Sequence, residues 1–116
     1  MKLLWNLIAV TALFGAVASA QDAPKKITKS EALSALATKV QPVYPSVARQ
    51  LKIQGTVELE AEVAENGTVS KVNIVSGNPV LTNSAAMAVK GWKFKPFIED
   101  GKPIRVLAPI SMEFKL

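Results

Sequence analysis

Glu58, Glu60 and Glu62 stand two residues apart, and they are the first place to look for chemistry in this chain. In an extended segment that spacing puts three carboxylates on one face. The chemistry to expect of them is coordination of a hard cation such as Ca²⁺. That ion takes ~6–8 oxygen ligands, and no further oxygen ligands are evident beside the stripe, so a solvated strand face is the better reading. The second cluster is Lys90, Lys93 and Lys95 with Trp92 and Phe94, the residue types of a nucleic-acid surface. Here too the spacing argues for the simpler reading. Trp92 continues an apolar helical face, and Phe94 alternates with lysines as a chain entering a core does, with the lysine stems running along it. Enzymatic constellations fail on inventory. The chain has no histidine, no cysteine, no glycine-rich phosphate loop and no Ser-x-x-Lys pair. The commonest general base, thiol nucleophiles, thiolate metal sites and disulfides are all excluded. The expectation is a protein that is not an enzyme, holds no metal or cofactor, and acts by binding.

The elements that must position a binding surface are legible from the pattern. Lys2, an apolar run from Leu3 to Val17 and Ala18-Ser19-Ala20 form the pattern of a secretory signal peptide over residues 1–20. The alternative is an uncleaved inner-membrane anchor with the rest facing the periplasm, although the run is shorter than the ~20 residues of a spanning helix. The expected location is the periplasm, with membrane contact only if the N-terminus is uncleaved. Nucleic acid is then not an expected partner, and the formal charge of +5 favours acidic partner segments or anionic membrane surfaces. Residues 21–39 read as a linker, with two readings for their second half: a short helix capped by Ser30 with Leu33, Leu36, Ala37 and Val40 on one face, or an extended arm packed on the domain.

The domain proper is expected over residues 40–116. Pro42 and Pro45 keep Gln41–Pro45 extended, and Ser46 precedes a short helix over Val47–Lys52. Val57, Leu59, Ala61 and Val63 alternate with the three glutamates, a strand with one buried face. Asn66-Gly67 suits a tight hairpin turn, and the chain returns through Val69–Val75 with Val72 and Ile74 inward. Leu81, Ala85, Ala88 and Trp92 recur with helical period, with Thr82 or Asn83 as cap. Glu99–Pro103 is a turn, and a third strand runs from about Ile104 to Leu116. The predicted fold is α+β: a three-stranded antiparallel sheet in spatial order 2-1-3, with two helices on one face. Pro109 lacks an N–H and marks the third strand as an edge.

The residues also carry a resemblance. Gln41-Pro42-Val43-Tyr44-Pro45 with Ala48, then Ile53–Val57, then Asn66–Val69, resemble the opening half of the TonB C-terminal domain. Ala88–Pro96 is similar to that family's aromatic-and-basic signature after its long helix. Gly101-Lys102-Pro103 and Pro109–Phe114 match its last turn and strand. The resemblance implies a domain that grips a short extended segment of a TonB-dependent outer-membrane receptor at the edge of its sheet, in energy-coupled transport. On matching positions it assigns Gln41, Tyr44 and Pro45 to that contact, and Val43 stands where well-known members have a glutamine. Tyr44 is equally readable as a core packer with a satisfied hydroxyl. The family's energised members also have an anchor histidine and a long proline-rich spacer. This chain has no histidine, and the roughly twenty residues ahead of the domain reach at most ~70 Å when fully extended.

The candidate peptide-binding residues are therefore Gln41, Tyr44 and Pro45 together with Arg105, Leu107, Ser111, Glu113 and Lys115 along the third strand. Backbone hydrogen bonds would supply affinity and alternate side chains selectivity. The rival expectation is a structural or assembly protein of the envelope that forms a homodimer through the same edge.

Overall fold

The computed structural model describes residues 23–116, and the expected signal peptide lies outside the described residues. In chain order the elements are β1 (Lys25–Lys26), α1 (Lys29–Ala35), β2 (Leu36–Thr38), α2 (Ser46–Gln50), β3 (Gly55–Val63), β4 (Val69–Ser76), α3 (Pro79–Lys90), β5 (Lys93–Phe94), β6 (Phe97–Glu99), β7 (Lys102–Ile104) and β8 (Val106–Phe114). The main sheet runs β1-β8-β3-β4. Its three long strands are antiparallel neighbours in the expected order, with the strand that opens the hairpin in the middle.

The period-two pattern decides what is buried. Val57, Leu59, Ala61 and Val63 of β3 are buried, and so are Val106, Ala108, Ile110, Met112 and Phe114 of β8. Leu81, Ala85, Ala88 and Val89 of α3 and Ala48 of α2 close the core from the same face of the sheet. Trp92 and Phe94 are each 4% exposed, with ring centroids 6.4 Å apart, so the aromatic cluster belongs to the core as its spacing implied. Trp92 lies beyond α3, after the Gly91 cap, and its Nε1–H donates to the Val40 carbonyl at 2.8 Å. The expected caps of α3 were Thr82 or Asn83. Asn78 is the cap, its side chain accepting from the Val80 N–H at 2.9 Å, with Pro79 at the first helical position where no N–H is needed.

Only glycine can serve at position 67. Its φ is +89°, and a Cβ there would meet the Phe94 carbonyl oxygen at 1.9 Å. The Phe94 N–H donates back to the Gly67 carbonyl at 2.9 Å, so the β3–β4 turn is sewn to the strand that follows α3. The last turn has Asp100 and Gly101 at φ +52° and +77°, the left-handed pair of a tight hairpin. It joins β6 to β7, so Ile104 belongs to that hairpin and β8 begins later than expected, at Val106. On β4, Val72 is inward and half-buried, whereas Ile74 is largely exposed.

Residues 25–38 combine both expectations for this region, since they form a short helix flanked by extended pieces. The helix cap is Thr28 rather than Ser30. Thr28 and Glu31 form a capping box, each side chain serving the other's backbone N–H at 3.1 Å. The Thr28 backbone N–H, foremost, and then the Thr28 hydroxyl hold the Glu31 carboxyl below the usual glutamate range. The buried residue of α1 is Ala32, while Leu33 is 63% exposed. The expected apolar face through Leu33 and Val40 does not form, because the helix ends at Ala35 and Leu36 starts a strand paired with β5.

Candidate binding edge

β8 is flanked on its outer side by β1, a correction to the expectation that the third strand is the free edge. The arm runs parallel to β8 in the register Lys25↔Val106 and Lys26↔Leu107. The Lys25 N–H donates to the Arg105 carbonyl at 3.0 Å, and the Ile27 N–H to the Leu107 carbonyl at 3.1 Å. These bonds fix which way the β8 backbone faces. Residues two apart present their N–H and C=O on the same side of a strand. Arg105, Leu107, Pro109, Ser111 and Glu113 therefore all face away from β3. Pro109 sits where its missing N–H costs β3 nothing, as expected. The arm itself was illegible in sequence because main-chain pairing over two residues imposes no side-chain pattern, and Lys25 and Lys26 are both exposed.

The side chains along this edge are engaged with their neighbours. The Ser111 hydroxyl donates to Glu58 Oε2 at 2.6 Å, and Lys29 Nζ of α1 donates to the same hydroxyl at 2.6 Å and reaches Glu58 Oε2 at 3.4 Å. The Ser111 hydroxyl, foremost, holds the Glu58 carboxyl below the usual glutamate range against the opposing effect of burial, with Lys29 adding to the lowering. Arg105 Nη1 pairs with Glu62 Oε1 at 3.3 Å. Two of the three glutamates of the stripe are thus tied to the edge strand, consistent with a solvated sheet face. Leu107 is half-buried, and Ser111, Glu113 and Lys115 are exposed.

The other three candidates lie elsewhere. Gln41 and Pro45 line a groove of about 410 Å³ between the proline-rich segment and α3, with Val40, Val43, Val80 and Met87 among its walls. Ser84 of α3 closes one side by donating to the Val43 carbonyl. Tyr44 does not line this groove. Its hydroxyl donates to the Ile53 carbonyl, its ring meets Phe114 edge-on at 5.6 Å between centroids, and the Arg49 guanidinium lies 5.6 Å from its ring centre. That is the core-packing role, and it locks the Gln41–Pro45 segment to the end of β8. The structure therefore brings Arg105, Leu107, Ser111 and Glu113 together on one edge and places Gln41 and Pro45 on another surface. Sequence reasoning missed Ile27 and Lys29 as neighbours of that edge. The Thr28-x-x-Glu31 spacing was the signal that would have started α1 two residues earlier and brought Lys29 into it.

The comparisons with known proteins agree with this architecture. The family model described as Gram-negative bacterial TonB protein C-terminal matches residues 40–116. The chain belongs to the TonB C-terminal domain family. It is similar to the protein TonB of Vibrio cholerae, with 40% identity over 83 residues covering 70% of this chain and 34% of that protein. It is also similar to the protein TonB of Escherichia coli, with 30% identity covering 86% of this chain and 37% of the relative. The chain thus spans little more than a third of the length of these TonB relatives. A solution NMR structure of the Pseudomonas aeruginosa TonB C-terminal domain superposes with a TM-score of 0.59 at 23% identity, over 70% of this chain and 84% of that one. At that identity the likeness is one of fold. This chain builds that fold with the strand order β8-β3-β4 and with α2 and α3 on one face.

Proposed function

We propose that this TonB C-terminal domain is a peptide-binding module of the cell envelope. In this reading it takes an extended segment of an envelope protein, of which a TonB-dependent outer-membrane receptor is the prime candidate, as an added strand on β8. The observation that carries the reading is the orientation of β8. Arg105, Leu107, Ser111 and Glu113 direct their backbone groups away from β3, and among the described residues β1 already pairs with that side as a strand at Val106 and Leu107, with α1 packed beside it near Ser111. Main-chain hydrogen bonds supply affinity without demanding a sequence, and the side chains of Leu107, Ser111 and Glu113 select among segments. Arg105 and Lys115 favour acidic flanks, each pair contributing ~0–1 kcal/mol and weakening with salt. No catalytic, metal or cofactor role belongs to this reading, and the expected setting is the periplasm.

Leu107→Pro and Ser111→Pro test it. Each removes one outward N–H and leaves the β3 ladder whole, so the domain should stay folded. Affinity for a synthetic peptide covering the periplasmic segment of an outer-membrane receptor should drop about tenfold or more for each lost pairing. Well-folded variants that bind as tightly as wild type would remove the strand-addition reading. Self-pairing of two copies across the same edge is the rival, and a sedimentation mass that rises with concentration would support it.

A further inference from the structure

The segment on β8 has the geometry of an added strand, and we propose that residues 25–27 are a strap that closes the binding edge until a partner displaces it. This rests on the strand-addition reading above. The Lys25 and Ile27 N–H groups occupy the carbonyls of Arg105 and Leu107, two of the outward acceptors that an incoming strand must use. The same backbone cannot serve both strands at once, so strap and partner exclude each other.

The strap is held loosely at one end and firmly at the other. The pairing covers two residues, in the parallel sense that is the weaker of the two ladder types. Lys25 and Lys26 bury no side chain. The ion pair of Lys25 with Glu99, at 3.4 Å between side chains 56% and 45% exposed, adds little. Immediately downstream the chain is fixed. Ile27 packs partly on the core, Thr28 caps α1, Ala32 is buried, and Lys29 holds Ser111 and Glu58. Lys25 and Lys26 can therefore peel from β8 with α1 in place, and Ile27 must leave its partly buried seat for the Leu107 carbonyl to open as well. The lysines fit a second demand on such a device. An exposed strand edge invites indiscriminate pairing, and lysine is a common means of blunting it. A closed edge lowers apparent affinity by the fraction of molecules in which it is open, so only a segment that pairs better than the strap gains access.

Two variants of the full chain test this in opposite directions. Lys25→Pro combined with Ile27→Pro deletes both strap donors and opens the edge. Lys26→Cys combined with Leu107→Cys locks it. Adjacent strands lie ~4.8 Å apart, inside the ~4.4–6.8 Å that a disulfide spans between Cα atoms, and the chain has no other cysteine. One probe is a synthetic peptide of residues 23–29 added in trans, and the other is the receptor-derived peptide. The opened variant should bind the residue 23–29 peptide about tenfold more tightly than wild type, as expected for removal of two competing hydrogen bonds. The oxidised lock should bind neither peptide, and reduction should restore binding to the level of the Leu107→Cys single variant. Should the opened variant not fold, the oxidised and reduced forms of the lock decide alone. Strap and reading fail separately. If the receptor-derived peptide pairs with β8 equally in the wild-type, opened and oxidised forms, the strap proposal is overturned and strand addition stands. If the opened variant takes the residue 23–29 peptide but no receptor-derived segment, the strap closes the edge and the receptor reading falls. If no peptide binds the opened variant, the strap proposal is overturned with it.

Discussion

Replacing Trp92 by alanine removes the largest side chain of the core at the point where α3, the Gln41–Pro45 approach and the β5 strand meet. The indole is 4% exposed. It packs against Phe94 at 6.4 Å, donates to the Val40 carbonyl at 2.8 Å and lies 5.8 Å below Lys39 Nζ. Loss of a buried aromatic costs about 3–5 kcal/mol, and the Val40 carbonyl loses its partner as well, a further cost of ~1 kcal/mol where water does not replace it. A domain of this size holds about 5–14 kcal/mol at ~0.05–0.15 kcal/mol per residue. At ~1–1.5 kcal/mol per molar urea, the midpoint should fall by about 2–6 M. The transition must be followed by far-UV circular dichroism, because the substitution deletes one of the two tryptophans of the chain. Leu33→Ala, at a residue 63% exposed on α1, serves as the control and should stay within about 0.5 kcal/mol of wild type. A Trp92→Ala midpoint within about 0.5 M of wild type would refute the placement of the indole as the keystone of this end of the core.

Three further outcomes follow from particular contacts. Gly67→Ala should lower the melting temperature far more than Gly101→Ala, because the new Cβ meets the Phe94 carbonyl at 1.9 Å in the first case and open space in the second; the left-handed backbone alone costs about 1–2 kcal/mol, and equal melting temperatures would contradict the close approach. Tyr44→Phe removes the donor to the Ile53 carbonyl and should cost ~1 kcal/mol of stability with peptide affinity unchanged, whereas a loss of affinity at unchanged stability would return Tyr44 to the binding surface. Glu58 and Glu31 both have carboxyls held below the usual range in the folded state, so their contribution is present above that range and is lost as pH falls through their lowered values. Amides of α1 should lose hydrogen-exchange protection in acid, less steeply in Glu58→Gln, and a pH-independent α1 would contradict the Ser111–Glu58–Lys29 linkage.

The parts of this molecule that bury side chains were legible in its sequence. The alternation through Val57–Val63 and Val106–Phe114 gave both central strands and their facing, since burying one face imposes a period of two. Leu81, Ala85 and Ala88 gave α3, whereas the absent N–H of Pro109 marked only a position where a ladder N–H is dispensable, and the direction in which Ser111 donates is fixed by the bonds to the arm. What was missed rests on main-chain bonds. β1, β2 and β5 are two or three residues long, too short for a pattern to rise above its neighbours. The pairing of Lys25 and Lys26 with β8 uses backbone atoms that every residue carries. Misplacing the cap of α1 at Ser30 then drew an apolar face through Leu33 that solvent covers instead. The eight candidate site residues split for the same reason. Gln41 and Tyr44 were assigned by resemblance, which does not distinguish a groove wall or a core hydroxyl from a contact residue, whereas Leu107 and Ser111 were assigned by strand geometry.

Backbone amide shifts of the full chain, recorded during titration with the receptor-derived peptide, read the occupied edge residue by residue. Strand addition on β8 predicts the largest changes at Arg105, Leu107, Ser111 and Glu113, new cross-strand contacts from the peptide to those residues, and loss of protection at the Lys25 and Ile27 amides. Saturation with β8 and the arm unmoved, and with the changes confined to β4 or to the groove beside Gln41 and Met87, would contradict it.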